Sequence, residues 1–587
     1  MGRLARIQLL VILLMLCGSL QGCQSWLKRA AWRPPDVVRA ATIDRRSTWA
    51  SAEAAYAQAL AREARGDASC VDDFFLAATL AWPEVERRIC VCGTASGRAA
   101  EIYHSSLTKL ISTGTRFCRL DPKRGLNIRT AEGYTSVPTS FHEFPWQPED
   151  FDQLIPVGEY STKELNQSYS CPGLGAAALA IHCRRTHEAF RREQQVFAVS
   201  ALLRPVPAES ASAACRFVLE LYDPLRISEI NAAGRRVSLT RDITAPIVYV
   251  LSKADREYFT GFLQPGSSTD DSGLFMIEPY QRGKIPVVFV HGLLSDRFTW
   301  ANLANEIRAR PELLQQYQLW GYEYATGEPF LKSAAVLRQQ LEEAQLQLDP
   351  TRSDKAMSRI VLVGHSMGGL VSKLQVAYSG NQLWESVSCR PLESIVTSPT
   401  TRAQLANAFF FAPSPMISRV VFVGTPHRGS PWAQRPIGRL GSKLVTEPSS
   451  LEDAHRQLIR DNPDTFSREF TRRIPTSIDL LEPNSPLLHA VDRLPLEPRV
   501  RLHSIVGSGY WMLGAGDSDT VVPVWSARKS GVITEKFIAA KHMKLHQDPA
   551  GIDELLGILR QHLWNFEAEN SQNGGRDHFR EIISAGW

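Results

Sequence analysis

No run of basic residues occurs anywhere in this chain. Lys and Arg total 66 against 61 Asp and Glu, a formal net charge of +5. Without clustered cations to neutralise a phosphate backbone, no nucleic-acid partner is expected. Cys-x-x-Cys pairs and His-Glu-x-x-His helices are missing as well. The tight pair Cys90-Val-Cys92 alone supplies too few ligands, so no metal is expected. Past residue 23 there is no apolar run long enough to cross a bilayer, which argues against a multispanning protein. What is present is a globular balance, 44% hydrophobic and 22% charged. At 587 residues the chain exceeds one ordinary core, so two or three domains are expected.

The amino terminus has a pattern of its own. Arg3 and Arg6 precede an apolar stretch from Ile7 to Leu20, followed by Leu20-Gln-Gly-Cys23. A basic start, an apolar segment too short to span comfortably and a small residue before the cut describe an export signal over 1–22. Its Leu-x-Gly-Cys end resembles the bacterial lipobox. That resemblance implies cleavage before Cys23, diacylglyceryl attachment to it and a lipid anchor. Gln24 stands where an Asp would signal retention at the inner membrane. The expected location is therefore the bacterial cell envelope, on the outer membrane facing the periplasm. Export would leave eight of the ten cysteines besides Cys17 and Cys23, and an oxidising compartment predicts disulfides among them.

The most informative string is GHSMGG, Gly364 to Gly369, after the apolar run RIVLV and before a helical pattern. A serine on a tight strand-to-helix turn has its Oγ lifted clear of the sheet, and small flanking residues such as Gly364 and Gly368 permit that turn. The following helix points its amino-terminal amides at a reacting carbonyl. Ser366 is therefore the candidate nucleophile. G-x-S-x-G is common by chance, so its surroundings must carry the argument, and four segments bear on it. IPVVFVHGLLSD (285–296) reads as a buried parallel strand and a loop, placing the Leu293 amide beside that of Met367 as oxyanion donors. His291 at the loop base reads as a holder of backbone. RVVFVGTPHRGS (419–430) is a second buried strand, whose carboxyl end puts Thr425, His427 and Arg428 at the pocket border or in a structural loop. GDSDTVVPVWSA (516–527) offers Asp519, with Asp517 as alternative, to orient a histidine. KHMKLHQDPAGIDELLGIL (541–559) offers His542, with His546 as alternative, as the base ahead of an amphipathic helix.

The order Ser366, Asp519, His542 is that of α/β-hydrolases. On VVFVHGLLSD, VLVGHSMGGL, FVGTPHRGSP and DTVVPVWSA the chain resembles α/β-hydrolase lipases and esterases, especially glycosylphosphatidylinositol-deacylase-like acyl hydrolases, over about 280–566. The resemblance implies the same triad and oxyanion assignments and a mostly parallel sheet flanked by helices, with cap insertions. In that family the acid usually stands in Asp-Gly-x-Val-Pro; here Thr520 replaces the glycine, which keeps Asp517 in play. The expected activity is a serine hydrolase cleaving carboxylic esters, with acyl lipids as substrate and no cofactor. Acyl transfer, amide cleavage and thioester cleavage use the same groups. The rival from another class is an envelope binding protein whose hydrolase domain is inert.

Around this core we expect a helical region over 23–125, with helices at 47–64, 72–81 and 99–111. A β-rich or mixed domain and linker should follow over 126–280, including strand-like CRFVLELYDPL (215–225) and APIVYVLS (245–252). The hydrolase domain spans 281–566 and a flexible tail 567–587. Residues 331–348 read as a helix covering the sheet. Residues 380–418 and 427–499 read as cap insertions, and Phe409, Phe410 and Phe411 as core or as lining of an acyl pocket.

Overall fold

The computed structural model describes residues 49–564, apart from 131–132, 159–164, 207–215, 254–271, 294, 435–448 and 473–474. The export signal, Cys23 and the tail at 567–587 lie outside the described residues.

Three helices open the chain, α1 (Trp49–Ala64), α2 (Cys70–Cys92) and α3 (Arg98–Arg116). Apolar residues at helical spacing, such as Phe74, Ala78, Ala81, Val85 and Ile89 on α2, build their shared core. Helix α2 runs well past the expected stop near Ala81, through Pro83. It ends at Gly93, whose φ of 72° allows its amide to cap the Ile89 carbonyl. The helices lie on a five-stranded sheet of β1 (Thr139–His142), β2 (Gln153–Pro156), β3 (Ala176–Cys183), β4 (Gln194–Val206) and β5 (Arg216–Tyr222), in the order β1-β5-β4-β3-β2. The Tyr103 hydroxyl on α3 donates to the Leu203 carbonyl at 2.8 Å and accepts from its amide at 3.0 Å, tying helix to sheet.

One expectation fails here. APIVYVLS forms a helix, α4 (Ala245–Lys253), and not a strand. Asp242 Oδ1 accepts the amides of Thr244 and Ala245 at 3.0 and 2.8 Å, and Pro246 sits in the first turn, where its missing N–H costs nothing. These start signals override the β-branched composition. The expected disulfides are not seen among Cys70, Cys90, Cys92, Cys118, Cys171 and Cys389, which are free thiols. Cys70 is buried in the helical layer, Cys90 and Cys92 stand two apart on one helix, where side chains do not face each other, and Cys389 belongs to the other half of the chain. Cys215 lies outside the described residues.

The second half is a seven-stranded sheet in the order β6-β8-β7-β9-β10-β11-β12: β6 (Gly273–Met276), β7 (Ile285–Val290), β8 (Tyr317–Glu323), β9 (Ile360–His365), β10 (Ile417–Val423), β11 (Arg501–Gly507) and β12 (Thr534–Ile538). Only edge strand β6 runs antiparallel. Because both faces are covered, β7 and β9 are buried at every position, which is why their sequences are unbroken apolar runs. Helices α5 (Ala301–Arg308) and α11 (549–564) pack on one face, and α6 (Phe330–Leu348) and α7 (Met367–Lys373) on the other. The stretches 380–418 and 427–499 supply α8 (Pro399–Phe409), α9 (Ser449–Asp461) and α10 (Pro486–Arg493). Leu458, Leu481, Leu488 and Val491 from them share a core cluster with Met367 and Leu370 of α7. Phe409 is core, against Trp384, and Phe411 stacks under the Arg338 guanidinium.

The halves are joined by specific bonds. The Asn166 amide donates to Asn302, the Tyr169 hydroxyl to Glu306 and the Thr244 hydroxyl to Asn305, all on α5, at 2.7–2.9 Å.

Candidate active site

Ser366 stands between β9 and α7 with φ 54° and ψ −124°. This conformation is nearly forbidden to a residue with a side chain, and it is held because packing on every side over-determines it. The neighbouring glycines serve close approach rather than the turn itself. A Cβ on Gly364 would lie 2.5 Å from the Gly368 carbonyl oxygen, one on Gly368 2.3 Å from that of His291, and one on Gly369 1.8 Å from Thr425 Oγ1. The string GHSMGG is thus read as much by β7 and β10 as by its own helix. Gly292, in the loop after β7, is equally constrained: its Cβ would fall 2.8 Å from Ser366 Cβ. The backbone at Leu293 therefore starts beside the serine, while Met367 is the first residue of α7, where amides have no partner within the helix.

His542 comes from the short turn before α11 and is buried with Ser366 and Asp519. Its Nδ1 lies 2.7 Å from Asp519 Oδ2 and its Nε2 2.9 Å from Ser366 Oγ. A carboxylate only accepts, so Nδ1 carries the proton and Nε2 is left to accept from the serine hydroxyl. Asp519 is fully buried. Its second oxygen accepts the amides of Val521 and Val522 at 2.9 and 2.6 Å, and its own carbonyl accepts the His542 amide at 2.7 Å. Gly507, at the end of β11, makes room for it, since a Cβ there would be 2.4 Å from Asp519 Cβ. Thr520 has φ 86°. The family's usual glycine would adopt that backbone freely, so the departure at Thr520 leaves the loop geometry in place with a strained residue in it.

The alternatives lie elsewhere. Asp517 is exposed on the hairpin of Tyr510–Met512 and Gly516–Ser518, where it accepts the Gly509 amide at 2.6 Å. His546 is buried behind the site in a column of rings: His542 to His365 at 4.8 Å, His365 to His546 at 4.6 Å, and His546 to Trp300 at 5.6 Å between centroids. Burial, with the neighbouring imidazole of His542 and the cation of Lys544, pushes His546 down to about 3; burial likewise holds His365 well below an ordinary histidine, so both are neutral spacers. His365 Nε2 donates to the His542 carbonyl at 3.1 Å and fixes the turn that carries His542. Sequence reasoning passed over His365, although its place in G-H-S sets it directly under that turn. His291 holds backbone: its Nε2 accepts the Tyr324 amide at 3.3 Å, and its ring stacks on Tyr324.

At the end of β10, Gly424 borders Asp519 and His542, since a Cβ on it would be 3.3 Å from both Asp519 Oδ2 and His542 Nδ1, and Thr425 lies against Gly369. His427 turns into the core instead, edge-on to Phe422, and burial with the cations of Lys373, Lys529 and Arg428 depresses its basicity. Far from this site, Asp150, His182 and Glu188 in the first half bring ligand-type atoms within 4.8 Å of one another. Arg185 donates to His182 Nδ1 at 2.7 Å and Arg191 pairs with Glu188 at 3.1 Å, so guanidinium groups already neutralise that cluster.

Residues 287–554 match the family model described as Alpha/beta hydrolase family, and the seven-stranded sheet with its covering helices has the α/β-hydrolase fold. Among solved structures it is similar to the mature lipase BlEst2 of Bacillus licheniformis (16% identity, 49% of this chain and 97% of that one, TM-score 0.29). It is also similar to Staphylococcus hyicus lipase (14%, 50% and 100%, 0.32) and to esterase B from Lactobacillus rhamnosis (14%, 51% and 82%, 0.28). No curated protein matches the chain.

Proposed function

We propose that this protein is a serine hydrolase that cleaves carboxylic esters of acyl lipids through Ser366, His542 and Asp519. The observation that supports it most is the unbroken chain of hydrogen bonds from Asp519 through His542 to a serine held in a disfavoured backbone conformation. In the reaction, Ser366 Oγ attacks the ester carbonyl as His542 Nε2 takes its proton. The amides of Leu293 and Met367 receive the oxyanion, and Asp519 stabilises the imidazolium without taking the proton. Collapse expels the alcohol, protonated by His542, and leaves an acyl-enzyme. Water, deprotonated by His542, then attacks that ester and regenerates Ser366 with release of the carboxylic acid. An acyl lipid is favoured because Ser366 is itself buried beside a large apolar cluster to which the inserted helices contribute.

The test presents the purified chain with p-nitrophenyl esters of increasing acyl length, the matching anilides and thioesters, and phospholipid vesicles. Ester turnover that rises with acyl length and vanishes in Ser366→Ala supports the reading; a preference for anilides, or turnover that survives Ser366→Ala, contradicts it. We further propose that Cys23 carries a lipid and holds the protein on the outer membrane facing the periplasm, on the strength of Leu20-Gln-Gly-Cys23 alone. Mass spectrometry of the mature amino terminus should find diacylglyceryl on Cys23; a chain still beginning at Met1 would overturn it.

A further inference from the structure

A cavity of about 330 Å³ lies where β4 and α4 of the first half meet β6, β7, β8 and α5 of the second. Its walls are mainly apolar, with Phe275, Phe289, Trp300 and Ala304 on the hydrolase side facing Ile247 and Leu251 of α4. None of Ser366, His542, Asp519 or Leu293 is among its described lining. That volume is within the range of sites for small organic ligands.

One feature of the wall is out of keeping with the rest. Arg308, the last residue of α5, lines the cavity and is only 6% exposed, yet its Nε and Nη2 have no hydrogen-bond partner. The nearby carboxylates Asp223 and Glu278 attract it but hydrogen-bond Arg226, and with Lys284 three cations share those two anions. Around the rest of the cavity Arg192, Lys253 and Arg297 outnumber Glu193. A buried guanidinium with open donors is costly to keep unless an anion completes it. Its planar fork matches a carboxylate, and the walls ahead of it match an alkyl chain.

We propose that this cavity binds an amphipathic carboxylate of the fatty-acid class, with the head group on Arg308 and the chain against Phe275, Phe289 and Trp300. The site is separate from the triad and does not depend on what Ser366 does, so binding is measured in the full chain carrying Ser366→Ala. Sodium decanoate and 1-decanol serve as probes in calorimetric titrations. Decanoate should bind one to one. Arg308→Met should weaken decanoate at least about tenfold while leaving 1-decanol within about twofold, because only the charge-assisted bonds are lost. Ala304→Phe, which fills the cavity from α5 and keeps Arg308, should weaken both probes. Equal decanoate affinity in Arg308→Met, or undiminished binding in Ala304→Phe, would place the ligand elsewhere and overturn the proposal, as would the absence of stoichiometric binding. Thermal melting of the ligand-free variant separates a structural role. Arg308→Met should melt at or above the parent temperature; a large drop would assign Arg308 to the Glu278 network instead. Arg308→Lys, keeping the charge without the fork, replaces Arg308→Met should the latter not fold, and there decanoate should weaken by a smaller factor, at least about threefold, with 1-decanol again unchanged.

Discussion

His182 in the first half and the histidines packed behind Ser366 in the second are buried in opposite ways. In the first half, His182 is fully enclosed and fully wired: Glu188 lies 2.8 Å from Nε2, Arg185 2.7 Å from Nδ1, and Asp150 and Asp152 within 3.6 Å. Such a group is locked in place by its partners. In the second half, His365, His427 and His546 are as deeply buried but have ring nitrogens without partners, and Thr425 Oγ1 is open too. His542, between them and Ser366, has both ring nitrogens engaged, and its partners are a carboxylate and a hydroxyl. The difference teaches that polar burial around His182 is closed on itself, whereas around Ser366 buried groups with open atoms flank one defined path from Asp519 through His542 to the serine.

The sharpest way to break this contrast is to remove members of that path. Ser366→Ala and His542→Ala should each lower ester turnover by about 10⁶-fold with the fold retained, as units that act together do. His546→Leu should leave turnover within a few-fold. Steady-state rates and circular dichroism decide it, and the reverse ranking of the two histidines would move the base to His546. Next in size, Asp519→Asn should cost about 10⁴-fold in kcat, because the amide favours the wrong tautomer of His542. Asp517→Asn, touching only the Gly509 amide, should change kcat little.

Gly369→Ala sharpens the packing side of the comparison. On propensity alone an alanine in helix α7 would stabilise. Here its Cβ would meet Thr425 Oγ1 at 1.8 Å, so urea unfolding should show a loss on the order of 1–3 kcal/mol. Acid should also act mainly through buried neutral histidines. His503, His546 and His562 are each pushed down to about 3, chiefly by burial. In the unfolded chain they take protons below about pH 6.5. Since U then binds more protons than N, stability is fully present above about pH 6.5 and falls as the pH drops from there toward about 3, by about 1.4 kcal/mol per pH unit for each such group. Denaturation midpoints at pH 7.5, 6.5, 5.5 and 4.5 should fall in that sense, and His546→Leu should flatten the slope; an unchanged slope would mean that His546 is charged in the folded protein. The smallest effect is expected at Thr520→Gly, which relieves a φ of 86° and should raise stability by about 1 kcal/mol with turnover unchanged. A loss there would mean that Thr520 holds Asp519 in place.

How legible this was differs between the halves for a physical reason. Doubly covered strands such as β7, β9 and β10 leave unbroken apolar runs, and a serine between strand and helix leaves glycines where backbones touch, so the hydrolase half could be read from local strings. The long reach of Asp519 and His542 to Ser366 was inferable only from their order along the chain. What the strings could not give was depth: His365 and His546 become a column only when α11 and β9 pack together. In the first half the helices at 49–116 followed from periodicity, yet α4 was misread because its β-branched residues outweighed Asp242 and Pro246 in a local reading. The cavity at Arg308 is formed by segments from both halves, and no string encodes it.

The central claim is that the buried path Asp519–His542–Ser366 activates one serine. The most direct measurement is reaction of the purified chain with a fluorophosphonate probe, followed by peptide mapping and by the rate in His542→Ala. One equivalent should be captured, on Ser366, with a rate at least about a thousandfold lower in His542→Ala. Capture elsewhere, no capture by folded protein, or an equal rate without His542 would contradict it.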